Sequence, residues 1–235
     1  MDSVENKTAM QEMNEDLCKK LGIPVRDIQL PTFNEIDGLF GKMSAGVYDD
    51  ELDYCNALNG FRLGYLAKLN MPPNPNSRFT CGLIKTHIVQ QSTVFKAMQH
   101  DLLRRLEEVN LKIATIENLD FGSVTAGKTL CERFYAEHRD KSFFEDLKRQ
   151  QTGPVVAMIL ESTNGGDAIT MWRNLIGDTD PTKDRSAGKD TLRAHYGESK
   201  ELNAFHGSDS ISSAFREIQF FCSENQLNIY LSDFI

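Results

Sequence analysis

Residues 203–210, with the sequence NAFHGSDS, carry more information about the fold than any other stretch of the chain. A short apolar segment ends at His206, and the Gly-Ser-Asp-Ser run that follows is typical of a turn. Ser210 then begins an amphipathic segment that reaches residue 221, which predicts a helix with Asp209, directly before it, as the capping residue. Taken alone, a histidine in such a turn is more often structural than catalytic, so its neighbours decide its role.

Outward from this turn, helix and strand patterns alternate over residues 79–221. Strands are predicted over 79–84, 111–116, 155–160 and 203–206, and helices over 95–109, 130–147 in two pieces, 168–176 and 210–221. Residues 155–160, VVAMIL, are the best candidate for a buried strand, because Gly-Pro precedes them and Asn-Gly-Gly follows. Residues 177–199 are rich in Asp, Lys and Gly and predict a long loop, a feature that is usually functional in a compact domain. This order predicts one mixed α/β domain with helices packed on a sheet.

A domain boundary is predicted at residues 71–77, MPPNPNS, because its prolines cannot continue a helix or a central strand. We therefore divide the chain into an extension with a Pro-rich linker, residues 1–77, and a main domain, residues 78–235. Helical patterns over residues 1–71 predict a small helical extension that packs on the main domain or binds an unidentified partner.

Composition limits the classes of function. The chain has 235 residues, 40% of them hydrophobic, and a formal net charge of −8. This acidic balance argues against nucleic-acid or anionic-membrane binding, since both require a positive surface. No segment is apolar and long enough to predict a membrane span. The five cysteines are widely spaced without a CxxC pair, which favours reduced thiols and a cytoplasmic location.

One motif suggests a phosphate loop. Residues 122–129, GSVTAGKT, fit the pattern GxxxxGK[ST], in which backbone amides hold phosphates and the lysine, here Lys128, reaches the terminal ones. Yet glycine, serine and threonine are also ordinary residues at a helix start, and the segment from Ile116 to Gly122 is polar and irregular. We interpret the match as coincidental and keep an NTPase that uses Lys128 as an alternative.

The stretch around His206 resembles the active-site signature NxxHGSDS of the nucleoside diphosphate kinases, in which the histidine is phosphorylated. The resemblance extends over roughly residues 79–230 and includes further segments in the same order: FTCGLIK at 79–85, FY at 134–135, KSFF at 141–144, GPVVAM at 153–158, RNLIGDTDP at 173–181 and TLR at 191–193.

The resemblance implies roles for individual residues. The residues implied in catalysis are His206, which would carry the phosphate, Glu217 and Ser208, which would support it, and the active-site tyrosine Tyr135. The residues implied in nucleotide binding are Lys85, the base-stacking Phe143, the phosphate-binding Arg173, Thr179 and Arg193, and the ribose-binding Asn203. The chemistry is coherent, because a neutral imidazole nitrogen is nucleophilic near pH 7 and phosphoryl transfer depends on positioning and charge neutralisation.

The family resemblance also implies the fold, the reaction and the ligands. The fold is expected to be a ferredoxin-like α/β sandwich, with a four-stranded antiparallel sheet covered by helices. The reaction is expected to be ping-pong transfer of the γ-phosphate from ATP or another nucleoside triphosphate to a nucleoside diphosphate. Mg²⁺ is expected to be held mainly through the nucleotide phosphates rather than by protein ligands, and the protein is expected to form a homo-oligomer. Base selectivity is expected to be weak, since stacking on Phe143 does not read base edges.

The sequence departs from the family pattern in a few places. Residues 86–89 read THIV where the family has Pro-Asp-Gly-Val, and Lys200 stands where the family has an aliphatic residue. The segment 181–193 is a few residues longer than usual. These changes leave a second interpretation open, a catalytically weak or inactive nucleotide-binding module that uses the same pocket.

Overall fold

The computed structural model describes residues 77–125 and 127–221, apart from the side chain of Ser212. The predictions for residues 1–76, namely the helical extension, its partner and nearly all of the linker, lie outside the described residues.

The described elements follow one another in chain order as strands and mostly short helices. They are β1 (Phe79–Ile84), α1 (Thr86–Val89), α2 (Ser92–Glu108), β2 (Leu111–Asp120), β3 (Val124–Thr125), β4 (Lys128–Thr129), α3 (Leu130–Phe134), a 3-10 turn (Ala136–His138), α4 (Phe144–Gln151), β5 (Pro154–Ser162), α5 (Ala168–Ile176), α6 (Pro181–Ser186), α7 (Leu192–Tyr196), β6 (Phe205–Gly207) and α8 (Ile211–Ile218).

Four of these strands form one antiparallel sheet in the order β2-β5-β1-β6. All six residues of β1 are buried, and in β5 every residue after Pro154 is buried. Strands that are covered on both faces belong at the centre of a layered sheet, which explains the continuous apolar run of β5. This sheet with helices packed on it confirms the expected ferredoxin-like fold.

The largest buried side chains join α2, β5, α5 and β6 into one core. Met98 of α2, Met158 of β5 and Trp172 of α5 are all fully buried in the same cluster as Phe205 of β6. The rings of Trp172 and Phe205 meet edge to face with their centroids 6.0 Å apart. Because side chains alternate across a strand, burying Phe205 in this core directs its neighbour His206 to the opposite face of the sheet.

The predicted long loop over residues 177–199 is wrong in part, since it contains the short helices α6 and α7. Asp180 caps α6 by accepting a hydrogen bond from the amide of Thr182, and Pro181 occupies the first turn. Thr191 caps α7 through the amide of Ala194. The capping residues and the proline could have indicated these helices from the sequence. Segments of five or six residues, however, are too short to show helical periodicity.

The segment that follows β2 also differs from the prediction. The strand does not end at residue 116 but continues to Asp120. Its pairing with β5 shifts register earlier, between Ile113 and Thr115. The GxxxxGK[ST] match then falls on the β3–β4 hairpin, whose strands pair Val124 with Thr129. No helix in the described part of the chain is long and apolar enough to cross a bilayer.

Candidate active site

His206 lies in the middle of β6, opposite Leu83 of β1, and its side chain is 16% exposed. The rings of Phe134 and Tyr135 contact the imidazole edge to face, with centroids 5.3 Å and 5.7 Å away. Apolar walls on two sides and a small opening leave one part of the ring accessible. The sequence-predicted histidine therefore occupies a confined and accessible position.

Glu217 of α8 fixes the tautomer of His206. The distance from His206 Nε2 to Glu217 Oε2 is 2.9 Å, and Ser208 Oγ donates to the same oxygen at 2.7 Å. Glu217 is 1% exposed, and an ionised carboxylate only accepts hydrogen bonds. Nε2 therefore carries the ring proton and donates it, which leaves the lone pair on Nδ1.

The backbone around His206 is held from several directions. Trp172 Nε1 donates to the carbonyl of His206 at 3.0 Å, and a Cβ on Gly207 would lie 2.6 Å from the same indole ring. Only glycine permits this approach. On the other side, Ala204 adopts a φ of 68° between Asn203 and Phe205, a conformation that L-residues seldom take. These backbone contacts therefore fix the position of the imidazole ring.

Three cations gather beside this strand. Lys85 directly follows β1, and its amide donates to the carbonyl of Ala204 at 2.9 Å. Burial, and then the charge of Arg193, lowers the pKa of Lys85 to about 7. Burial, and then the charge of Arg173, lowers the pKa of Arg193 to about 10. A bound anion would stabilise the charged forms of both side chains, so the shifts are consistent with an anion-binding site.

Several buried polar atoms at this site have no hydrogen-bond partner among the described residues. They are Tyr135 Oη, Arg193 Nε and Asn203 Oδ1, and five further such atoms lie on Thr80, His87 and Gln151. Burial also raises the pKa of Tyr135 well above its ordinary value, so its hydroxyl stays protonated and can donate. Buried polar groups are nearly always hydrogen-bonded, and the three atoms at this site could be satisfied by a polar ligand.

A cleft of about 380 Å³ adjoins the site. Its lining includes Arg173, Thr179 and Lys200. Arg173 Nη1 donates to the carbonyl of Gly207 at 3.2 Å, which places one wall beside the histidine strand. Asn203 Nδ2 donates to the carbonyls of Thr179 at 3.0 Å and Lys200 at 2.9 Å, which places the other wall beside Asn203. The cleft therefore connects predicted phosphate-binding and ribose-binding residues.

Phe143 is linked to His206 through two intervening rings. Its ring is 49% exposed and meets His138 edge to face at 5.5 Å. His138 in turn stacks on Tyr135 with ring centroids 6.2 Å apart. An exposed phenylalanine linked to the site through other rings suits a flat ligand group that arrives from solvent.

Asp209 has a different local role from the one predicted. Ser210, rather than Asp209, caps α8 by accepting from the amide of Ser213. Asp209 Oδ1 instead accepts a hydrogen bond from Ser213 Oγ at 2.7 Å. The prediction that Asp209 caps the helix is therefore wrong by one residue, although the aspartate still stabilises the first turn.

Arg216 and Glu137 belong to the site, and the sequence did not indicate either of them. Arg216 Nη2 lies 2.6 Å from Glu137 Oε2 and 3.5 Å from Glu217 Oε1. Both residues are charged positions within helical or turn segments, where most such residues are solvated. The one sequence feature that could have indicated Arg216 is its position directly before Glu217, the predicted catalytic carboxylate.

Local hydrogen bonds already use several donors of the phosphate-loop match. Thr129 Oγ1 accepts from the amide of Glu132 and its own amide donates to that carboxylate, a capping box for α3. The amides of Gly122 and Ser123 donate to Asp120. The Thr129 hydroxyl, which would hold magnesium in a phosphate loop, is therefore part of a helix cap, which supports the coincidental interpretation.

Comparison with known proteins agrees with this geometry. A family model described as nucleoside diphosphate kinase matches residues 79–227. The relatives include nucleoside diphosphate kinase 1 of Protochlamydia amoebophila, 39% identical over 152 residues, and the nucleoside diphosphate kinase of Wolinella succinogenes, 39% identical over 142 residues. These matches cover 64% and 60% of this chain and 96% of each relative.

Solved structures of the same family resemble the chain. The Aquifex aeolicus nucleoside diphosphate kinase is 32% identical with a TM-score of 0.54, covering 63% of this chain and 97% of that one. The Halobacterium salinarum enzyme, solved in complex with CDP, is 29% identical with a TM-score of 0.51, covering 64% and 91%. The family match spans more than half of the chain, and the chain therefore belongs to the nucleoside diphosphate kinase family.

Proposed function

We propose that this protein transfers the γ-phosphate of a nucleoside triphosphate to a nucleoside diphosphate, with His206 as the phosphate carrier. The observation that carries the proposal is the hydrogen bond from His206 Nε2 to the buried Glu217, which leaves Nδ1 with its lone pair. A positioned neutral imidazole beside unpaired cations is suited to accept a phosphoryl group. The related proteins are named as enzymes, which favours this reaction over a non-catalytic binding module.

The first half of the reaction phosphorylates the histidine. His206 Nδ1 attacks the γ-phosphorus as the bond from that phosphorus to the β-phosphate oxygen breaks, and the nucleoside diphosphate leaves. The ring becomes positively charged, and Glu217 stabilises it through the Nε2–H hydrogen bond. In the second half, a terminal oxygen of another nucleoside diphosphate attacks the same phosphorus, and the pair of electrons returns to Nδ1.

The cations supply charge neutralisation. We assign contacts with the phosphate oxygens to Lys85, Arg173 and Arg193, and hydrogen bonds to Thr179 and Tyr135. Arg173 and Thr179 line the cleft, and the raised pKa of Tyr135 keeps its hydroxyl protonated, which supports these roles. The depressed pKa values of Lys85 and Arg193 mean that an arriving phosphate relieves an existing excess of positive charge. Binding and transition-state stabilisation therefore come from the same groups.

The nucleoside would occupy the outer part of the cleft. Asn203 Oδ1, buried without a partner, can accept a hydrogen bond from a ribose hydroxyl, while the exposed face of Phe143 can stack on the base. Stacking does not read base edges, so we expect the enzyme to use several nucleotides.

We propose that magnesium acts as part of the nucleotide complex. The described residues contain no group of three or more His, Cys, Asp or Glu side chains that could hold a metal ion. A magnesium ion here would therefore take most of its ligands from phosphate oxygens, which fits a site lined by cations. When bound, it would neutralise charge on the phosphates.

We further propose a homo-oligomer in the cytoplasm. The outer side of the ten-residue strand β2 has no strand partner among the described residues, and Ile116 there is 55% exposed. An open edge with an exposed apolar residue favours pairing with a second copy. Cys131 is buried and forms no disulfide with a described residue, as expected in a reducing compartment. Sedimentation velocity should give a multiple of the chain mass, and Ile116→Lys should lower it.

Residues 1–77 are proposed to be separate from the enzyme domain, because the family match begins at residue 79. Deleting residues 1–71 should leave the rate of phosphotransfer within about twofold, since every residue that we assign to the site lies within the family match at 79–227. A loss of transfer by a folded truncated chain would show that the extension contributes to the site.

Steady-state kinetics test the proposed function. With ATP varied at several fixed GDP concentrations, a phosphoenzyme mechanism predicts parallel lines in double-reciprocal plots, because the two nucleotides never occupy the site together. Intersecting lines would indicate direct transfer without a carrier. No transfer by a protein that still binds nucleotide would indicate the binding module instead.

A further inference from the structure

Arg216 is a buried charged residue that contacts Glu217, the hydrogen-bond partner of the proposed carrier histidine. It is 2% exposed and immediately precedes Glu217 on α8. Its Nη1 donates to the carbonyl of Phe134, and its Nη2 lies 2.6 Å from Glu137 Oε2 and 3.5 Å from Glu217 Oε1. A buried guanidinium is costly unless it is fully paired, so this geometry must be maintained by all three partners.

The two oxygens of the Glu217 carboxylate have different partners. Oε2 accepts from His206 and Ser208, whereas Oε1 faces Arg216. Among the described lysines and arginines, Arg216 is the one that forms an ion pair with Glu217. A carboxylate held at one oxygen can rotate, while one held at both oxygens presents a fixed lone pair to the imidazole.

Arg216 also holds the other side of the histidine. The carbonyl that accepts from its Nη1 belongs to Phe134, whose ring contacts the imidazole of His206 edge to face at 5.3 Å. One guanidinium therefore anchors both the carboxylate that binds Nε2 and the aromatic wall that limits ring rotation. Its planar fork of donors can serve several acceptors in one plane, which an ammonium group cannot do.

We propose that Arg216 is a positioning residue for phosphoryl transfer. It fixes Glu217 and Phe134 so that the proton of His206 stays on Nε2 and Nδ1 keeps its lone pair. The inference rests on the proposed function, since this positioning affects the rate only if His206 accepts a phosphoryl group. Arg216 itself touches neither the nucleotide nor the reacting atoms in this account.

A matched control exists elsewhere in the fold. Arg105 on α2 is also buried between two carboxylates, with Nε 2.9 Å from Asp101 and Nη2 2.8 Å from Asp190. Its side chain is 9% exposed, and its partners Asp101 and Asp190 do not contact His206, Glu217 or Phe134 among the described interactions, so Arg105→Met reproduces the loss of a buried arginine.

The test compares Arg216→Met, Arg216→Lys and Arg105→Met. Rapid quench with γ-labelled ATP measures the rate of phosphoenzyme formation, a non-hydrolysable ATP analogue measures affinity, and thermal unfolding measures stability. We expect Arg216→Met to slow phosphorylation roughly 10- to 100-fold with analogue affinity unchanged, and Arg216→Lys to give an intermediate rate. Arg105→Met should lower stability and leave the rate within about twofold.

A second readout does not depend on activity. Nitrogen-15 NMR of the imidazole distinguishes the two neutral tautomers. We expect His206 to be protonated at Nε2 in the wild type and in Arg105→Met, and to be a mixture of tautomers in Arg216→Met. If Arg216→Met does not fold, Arg216→Lys decides, because a wild-type rate and tautomer there would overturn the proposal.

The two hypotheses fail in different ways. A wild-type protein that forms no phosphoenzyme would refute the proposed function, while the tautomer measurement would still test Arg216. An active wild type with an unchanged rate and tautomer in folded Arg216→Met would overturn the positioning role alone.

Discussion

Two regions of this chain present residues that suit a phosphate, and they differ in what their polar groups already bind. In the hairpin over residues 122–129, the amides of Gly122, Ser123 and Thr129 and the Thr129 hydroxyl are used in a local turn and a helix cap. In the pocket around His206, Tyr135 Oη, Arg193 Nε and Asn203 Oδ1 are buried without partners among the described residues. These hairpin groups are already satisfied by the protein, whereas a ligand would satisfy the three atoms of the pocket. A motif thus indicates a site only when its donors remain free.

Among the residues that surround His206, the largest effect is expected for a cation of the pocket. Arg173→Met should slow phosphoenzyme formation roughly 100-fold, because it removes a donor aimed at charge that develops during transfer. Arg173 is exposed and makes one hydrogen bond, to the carbonyl of Gly207, so folding should be little affected. The measurement is single-turnover labelling by ATP, with Arg104→Met, an exposed arginine on α2, as the control. Equal rates for the two variants would remove Arg173 from the pocket's function.

The protonation of Lys85 should make nucleotide binding in the His206 pocket depend on pH, which a site in the hairpin would not share. Its pKa is about 7 in the pocket, and a bound phosphate favours its charged form, so nucleotide binding should take up a proton above about pH 7. Affinity should therefore fall as pH rises from 7 to 9. Calorimetry in two buffers of different ionisation enthalpy measures the uptake, which Lys85→Met should abolish and Lys128→Met should preserve. Binding heats that do not depend on the buffer would contradict this account.

The lowered pKa of Lys85 also makes the free energy of unfolding depend on pH. Between pH 7 and the ordinary value of 10.5, the unfolded chain binds the Lys85 proton more than the folded chain does. The free energy of unfolding should therefore rise with pH across this window, and Lys85→Met should reduce that rise.

The smallest effect is expected at the outer end of the cleft. Lys200 is exposed and forms no ion pair with a described residue, so its ammonium is available to a ligand. Lys200→Gln should raise the KM for nucleotide about two- to fivefold without changing kcat, and the difference should shrink at high salt. Lys96→Gln, an exposed lysine on α2, serves as the control. An equal change in both variants would exclude a specific role for Lys200.

The central strands and the placement of His206 in a short strand could be predicted from the sequence, because the patterns that indicate them are long. The apolar run that became β5 is long and bounded by turn residues, and the residues around His206 form an extended motif. By contrast, α6 and α7 are too short for periodicity to show, and their caps act together with tertiary contacts such as the hydrogen bond from Thr191 to Asp184. Short elements depend on what packs against them.

The positioning residues could not be predicted for a different reason. Arg216 and Glu137 are 79 residues apart in sequence, and their contact depends on α8 packing over the 3-10 turn at Ala136–His138. A charged residue in an amphipathic helix is usually solvated, so the sequence alone gives no sign that Arg216 is buried. Such a partner becomes visible only when the fold is known.

The most direct measurement compares labelling of His206→Asn and Lys128→Met by γ-labelled ATP and Mg²⁺, beside the wild type. The label should be acid-labile and alkali-stable, present in the wild type and Lys128→Met, discharged by added GDP, and absent from His206→Asn. Label that persists in His206→Asn but disappears from Lys128→Met would contradict the central claim and place the chemistry in the hairpin.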